Sequence, residues 1–248
     1  LGGKLSSPGV SFYGLFDTPS WFGATTPFWF AAIIAMLNCA AVLTTFPETL
    51  KEKFHGGKLN ALQAVTNVVD GFKSERLRAV LISGFLFSMG FTFFTTFFGI
   101  YLRNNFNFGP SKTGDYFAIV GLFIAFSQAV LVARVSKKLS DYSVLRFSLF
   151  GNAAMMMLYF AVPTSFSFGL YLVIPFFTAF NGLTMANMTS LISRSAEPGK
   201  QGQAMGIYSS VQSLAQVPAS NLVGYITTSV TSSQPLVVAS ICIALGGL

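Results

Sequence analysis

Charge is what this sequence has least of. Asp, Glu, Lys and Arg make up only 9% of its 248 residues, against about 25% in an ordinary soluble domain. A water-soluble globule of this size needs far more charge to cover its surface, so that class is excluded. Cysteine is scarce too: Cys39 and Cys242 stand alone in apolar stretches, which excludes a disulfide scaffold and makes both thiols packing residues. The single histidine, His55, has no cysteine, histidine or carboxylate at a spacing that builds a metal site. No nucleophile–base pair and no paired carboxylates occur, so the chain is not read as an enzyme. With 52% hydrophobic residues, a disordered or collagen-like chain is also excluded. The sequence opens on Leu1 with no signal-peptide pattern, and it reads as a fragment with both ends missing.

What the chain has is long uncharged runs. Residues 18–47, 79–102, 116–133, 147–193 and 201–248 contain no Asp, Glu, Lys, Arg or His. Together they cover 167 residues. A lipid core needs about 20 apolar residues per helix, so the first three runs hold one span each and the last two hold two each. Pro163–Ser167 and Thr231–Pro235 supply the turns that divide those two. The spans fall over 22–46, 79–102, 114–134, 146–163, 168–193, 203–229 and 235–248, the last truncated. β-Barrel spans alternate every second residue, and runs such as Phe28–Leu37 do not. The fold class is therefore an all-α, polytopic membrane protein.

Orientation follows from the cations. With the loop 47–78 placed in the cytoplasm, inside loops carry twelve Lys and Arg residues, among them Lys51, Lys53, Lys58, Lys137, Lys138, Arg146 and Arg194. Outside segments carry Lys4, Arg103 and Lys112. That asymmetry is the one the positive-inside rule describes. The basic residues show no aromatic interleaving, so they do not point to nucleic acid. Within the loop, Leu59, Leu62, Val65, Val69 and Phe72 recur at helical spacing. They form either an amphipathic helix at the membrane surface or a short turn in a solvated linker. One span precedes this loop and six follow it, as at a junction between two bundles.

Several segments resemble the major facilitator superfamily. Phe46-Pro-Glu-Thr-Leu-Lys-Glu-Lys53 is similar to the end of that family's sixth span, where the central cytoplasmic loop opens. Leu1-Gly2-Gly3 resembles the close of the glycine-rich fifth-span motif of antiporters, and residues 134–146 resemble the second copy of the cytoplasmic loop motif. Residues 196–224, through Pro218 and Gly224, are similar to the loop and eleventh span of the drug:proton antiporter branch, which includes tetracycline efflux proteins. The resemblance implies two six-helix bundles around a cavity that opens alternately to each side. Residues 1–47 would close the N-terminal bundle, 48–78 would be the central loop, and 79–248 would form nearly the whole C-terminal bundle. It further implies a multi-pass protein of the cell (inner) membrane that is monomeric, needs no cofactor and uses the proton gradient. Its partners would be a small-molecule substrate and the bilayer. The function implied is secondary active transport of a small organic solute, with proton-coupled drug efflux first. An importer of sugars or metabolites, or a sensor or scaffold that does not transport, stands as the alternative.

Polar residues inside the spans are the site candidates, because they prefer a cavity or a partner to lipid. They are Ser88, Thr92, Thr95 and Thr96 in 79–102, Gln128 in 114–134, Asn181 and Thr184 with Met188 in 168–193, and Ser209, Gln212, Ser213, Gln216 and Ser220 in 203–229. They line a cavity for an amphipathic solute or form interhelical hydrogen bonds. Gly202, Gly206 and Ser210 make a small-residue face, and Pro218 should kink the same helix, with Ser213 or neighbouring groups serving the freed carbonyl. With Gly224 these are hinge or gate candidates, or static packing. No carboxylate lies deep in a span; Asp115 is nearest. The charges Lys137, Lys138, Asp141 and Arg146 either set topology or, as the resemblance implies, hold the inner side closed through ion pairs.

Overall fold

The computed structural model describes residues 6, 9, 11–12, 16–45, 69, 71–135, 140–197, 199–229 and 234–248, with the backbone alone at 12, 16, 76, 133, 219–220, 222–229 and 234. The stripe residues Leu59, Leu62 and Val65, the cations Lys51, Lys53, Lys58, Lys137 and Lys138, and His55 lie outside the described residues.

The chain divides into two compact units, residues 1–60 with 109–118 and residues 61–108 with 119–248. The first unit contains a short antiparallel pair, β1 (Ser11–Phe12) and β2 (Phe16–Asp17), with Ser11 opposite Asp17. This is the one departure from an all-helical expectation among the described residues, and it is too short to change the class. Helix α1 (Thr26–Thr45) follows, apolar on every side and exposed along almost its whole length. Such a helix has no preferred inward face of its own. Thr26 Oγ1 accepts from Gly23 N–H at 2.8 Å and so satisfies a donor just ahead of the helix.

The remaining helices are α2 (Glu75–Phe106), α3 (Pro110–Phe126), α4 (Asp141–Ala161), α5 (Phe168–Ser195), α6 (Gln201–Ser229) and α7 (Gln234–Gly246). A π-helical segment, Ser127–Val132, and a last turn, Ala133–Val135, continue α3. Among the described residues, five helical stretches are long and apolar enough to cross a membrane: 26–45, 77–106, 110–132, 141–161 and 168–195. The helices outrun the charge-free windows. Glu75, Arg78 and Arg103 are helical in α2, and Asp141 and Arg146 are helical in α4. The reason is that charge is excluded from hydrocarbon whereas a helix is not confined to it, so charges mark the lipid boundary rather than the helix ends.

In the second unit α2 packs on α7, α6 and α5, and α4 packs on α5 and α7. Lipid supplies little hydrophobic drive between helices, so close fit must hold them together. Aromatic rings do much of this. Phe94 and Phe98 of α2, Tyr159 of α4 and Phe177 of α5 meet with centroids 4.6–5.8 Å apart. The Tyr101 hydroxyl donates to the Tyr159 carbonyl at 2.9 Å, joining α2 to α4. Glycine permits two close approaches. A Cβ on Gly90 would stand 2.6 Å from the Ala239 carbonyl oxygen of α7, and one on Gly151 would run into the Phe180 ring of α5. Cys242 is buried at the first of these contacts, whereas Cys39 is exposed on α1; both thiols are free.

Gly90→Ala should therefore destabilise the bundle by about 1–3 kcal/mol, the cost of overpacking. Thermal unfolding in detergent checks this: the variant should melt lower than the parent, because the opposing atom is backbone and cannot rotate away.

Candidate functional site

A polar seam runs between α4 and α5. Ser148 and Asn152 are one helical turn apart on α4, and both are fully buried against Thr184 of α5. The Asn152 amide donates to Thr184 Oγ1 at 2.9 Å. The single Thr184 proton is offered to Ser148 Oγ and to the Phe180 carbonyl, each at 2.9 Å. Ser148 in turn donates to the Leu145 carbonyl at 3.0 Å. The seam is neutral throughout.

Its neighbourhood holds unused polar capacity. Asn152 Oδ1, Asn181 Nδ2, Asn187 Oδ1 and Ser127 Oγ are buried and have no hydrogen-bond partner among the described residues. An unmet buried polar group costs roughly 1–3 kcal/mol, so these four atoms are held at a cost to the bundle. Two of the four are on α5, one is on α4, and Ser127 begins the π-helical segment. Ser127 faces α5 at Gly182, where an added Cβ would lie 3.0 Å from the hydroxyl. π-Helical turns leave backbone groups off the usual ladder and cluster at functional positions.

The structure sorts the sequence candidates into three kinds. Thr184, Asn181 and Met188 are buried together on α5. Thr92 donates to the Ser88 carbonyl at 2.7 Å, and Thr95 donates to the Phe91 carbonyl at 3.0 Å, so both hydroxyls are committed to their own helix. Thr96 and Gln212 are half-buried, the latter hydrogen-bonded to Tyr208, while Gln128 and Gln216 are exposed. Gly202 and Gly206 open onto empty space, with nothing within 4 Å of an added Cβ. Gly224 lies where the backbone alone is described. Pro218 is inside α6, but Ser213 does not serve the carbonyl it frees. Ser213 Oγ donates instead to the Ser209 carbonyl at 3.0 Å. Helical side chains lean toward the N-terminus, so this hydroxyl reaches back one turn, away from the proline's target. Asn152, Asn187, Ser148 and Ser127 were not singled out from sequence. Asparagine inside an uncharged window was the available signal for the first two.

At one end of the bundle stands a charged clamp. Asp141, the first residue of α4, is almost wholly enclosed, its side chain 9% exposed. Its Oδ2 accepts from Ser190 Oγ at 3.1 Å and pairs with Arg194 Nη1 at 3.1 Å. Both partners are in the last two turns of α5. A carboxylate at a helix start and a guanidinium at a helix end each complement the helix dipole. Arg194 is well exposed, so the pair itself adds at most about 1 kcal/mol. Arg146 does not join this clamp: its Nε donates to the Gly247 carbonyl of the chain's last residues at 3.2 Å. Beyond α5, Lys200 Nζ lies 2.7 Å from Glu197 Oε2. Its hydrogen bond, and then its charge, hold the Glu197 carboxyl below the usual 4.5.

Two outcomes follow. Thr184→Val should lower stability by about 0.6–1.7 kcal/mol, seen as a lower melting temperature that Thr184→Ser restores. Lys200→Ala should return the Glu197 pKa to near 4.5, as read by NMR titration. Because the native pKa is depressed, the pair's contribution is present above 4.5 and is lost as pH falls through the lowered value.

The chain is similar to proteins named Hippocampus abundant transcript-like protein 1. It is 24% identical to the Rattus norvegicus protein over 238 residues, 25% to that of Mus musculus over 240, and 24% to that of Homo sapiens over 239. Each match covers 90% of this chain but 44% of the relative, so the chain spans less than half the length of the proteins it matches. Residues 13–220 match the model of the Major Facilitator Superfamily. On that match, which takes in the polar seam and the Asp141 clamp, the chain belongs to the major facilitator superfamily.

Proposed function

We propose that this chain is the C-terminal part of a secondary active transporter that moves a small, amphipathic organic solute by alternating access, with drug efflux in exchange for protons as the first expectation. The superfamily is one of transporters rather than enzymes. Buried, partnerless polar atoms around the α4–α5 seam are the observation that carries the reading. Three of the four belong to neutral asparagines of α4 and α5, helices that also carry Tyr159 and Phe177, packed on Phe94 of α2. Residues of these kinds suit a solute with an apolar body and a few hydrogen-bonding groups, and suit an inorganic ion poorly.

In this reading the two-bundle plan assigns residues 1–47 to the first bundle and 79–248 to the second. The end bearing Arg78, Arg146 and Arg194 faces the cytoplasm of a multi-pass protein in the cell membrane. The Asp141–Ser190–Arg194 clamp fastens α4 to α5 at that end and holds it shut between openings. Pro218 supplies a bend in α6, and Gly202 and Gly206, which meet nothing within 4 Å here, leave its face open for a sliding contact. This reading places any coupling carboxylate in the N-terminal half of the transporter, since the acidic residues of α2 and α4 lie in their first turns and Asp115 of α3 in its second. The relatives, more than twice as long, have room for it.

Efflux of a hydrophobic fluorescent compound from cells or vesicles carrying the full-length protein tests this. Transport should stop when a protonophore collapses the proton gradient. Asp141→Asn should change the transport rate severalfold while leaving membrane insertion as in the parent. Efflux that ignores both the protonophore and Asp141→Asn removes the reading.

A further inference from the structure

Nothing in its own sequence asks the segment Ser127–Val132 to be π-helical. Ser-Gln-Ala-Val-Leu-Val holds no glycine or proline, and glutamine, alanine and leucine are good α-formers. A π turn carries one residue more than an α turn and persists where its surroundings hold it. Here the surroundings are α5, on which the segment packs. Three of its side chains converge on Gly182. An added Cβ there would lie 3.0 Å from Ser127 Oγ, 3.6 Å from Val132 Cγ2 and 3.8 Å from Gln128 Cγ. In an α-helix, residues five apart point about 140° away from each other. Ser127 and Val132 reach the same glycine because the turn is widened. The Ser127 hydroxyl bears the cost: it is buried and has no partner among the described residues. Thr178, Thr184 and Ser240, by contrast, each donate to the carbonyl four residues back in their own helix. Ser127 is turned onto Gly182 instead of onto the Phe123 carbonyl.

We propose that this segment is a register switch: the end of α3 exchanges between the π register seen here and a plain α-helical one. The π register has the Gly182 contact and forgoes a side-chain hydrogen bond. The α register gives up that contact and frees the Ser127 hydroxyl to turn back to Phe123. One helix contact and one hydrogen bond are small effects of opposite sign, which is what a two-state element needs. In the α register the surplus residue passes toward the C-terminal end of α3. The last turn, Ala133–Val135, then rotates by about 100°. That turn carries the exposed Arg134 and leads toward the start of α4, where Asp141 is clamped to Arg194. A change of packing at Gly182 is thereby passed to the loop ahead of the clamp. The inference stands apart from the transport reading and needs no solute.

The test is double electron–electron resonance on the full-length protein in lipid nanodiscs, with its native cysteines replaced. Spin labels go on Arg134→Cys and Thr189→Cys, exposed positions in the last turn of α3 and in α5. The expected result is two distances, because the first label turns with α3 while the second stays with α5. Deleting Ala129 removes the surplus residue and should leave one of the two, which identifies the α register. Gly182→Ala, whose methyl crowds Ser127 and Val132, should raise that population about fivefold. Ser127→Ala should lower it about as much, the effect of one hydrogen bond. Packing that was merely loosened would not move the ratio in opposite directions. If the deletion does not fold, the two substitutions decide the matter alone. A single distance shared by the parent, Gly182→Ala and Ser127→Ala overturns the proposal. So do two distances whose ratio neither substitution changes.

Discussion

The bilayer offers no water to a peptide group, and from that single constraint the rest of the structure descends. Every backbone N–H and C=O within the hydrocarbon must be met inside its own segment, and an uncharged helix is the means by which this chain does so. Length then follows from lipid thickness, and the charges collect where the lipid ends. Arg78, Asp141 and Arg194 sit in the first or last turns of helices, and Arg146 in the second turn of its own.

Once helices are obligatory, the question becomes what makes them adhere. Burial of apolar surface is not the answer, since lipid is as apolar as leucine. The second unit relies on shape and on a few polar contacts. Gly90 and Gly151 let α2 meet α7 and α4 meet α5 at distances where any side chain would collide. The rings of Phe94, Phe98, Tyr159 and Phe177 fill the space beside them. Ser148, Asn152 and Thr184 then add direction to the α4–α5 contact, because hydrogen bonds tolerate less rotation than aliphatic packing does. The same seam leaves polar atoms over, and a bundle that carries unmet asparagines has retained them at a cost. That cost is the physical link between packing and the proposed handling of a solute.

The two ends of that link differ in kind. Along the seam everything is neutral and enclosed. At the helix termini the interactions are charged and partly wet, as with Asp141 and Arg194. Ion pairs of the second kind are weak and breakable, which suits the opening and closing proposed for that end.

By itself the sequence determined the class, the placement of the helices and the family, because exclusion of charge from lipid is a one-dimensional rule that a string of residues records directly. Phe46–Lys53 carried the resemblance to the superfamily, and the match over 13–220 agrees with it at that level. The helical reach of Glu75 and Arg103 was less visible, since a helix leaves no mark where it passes out of the lipid. Spacing put Asn181 and Thr184 on one face, yet only the fold showed that Ser148 and Asn152 of a different helix meet Thr184, and that Ser127 lies against Gly182. It was likewise the fold that turned Thr92 and Thr95 onto their own backbone, gave Arg194 to Asp141, and sent Arg146 to Gly247 instead. Which side chain meets which across a helix interface depends on rotation about each axis and on the depth of each approach, and these are set jointly by all the neighbours.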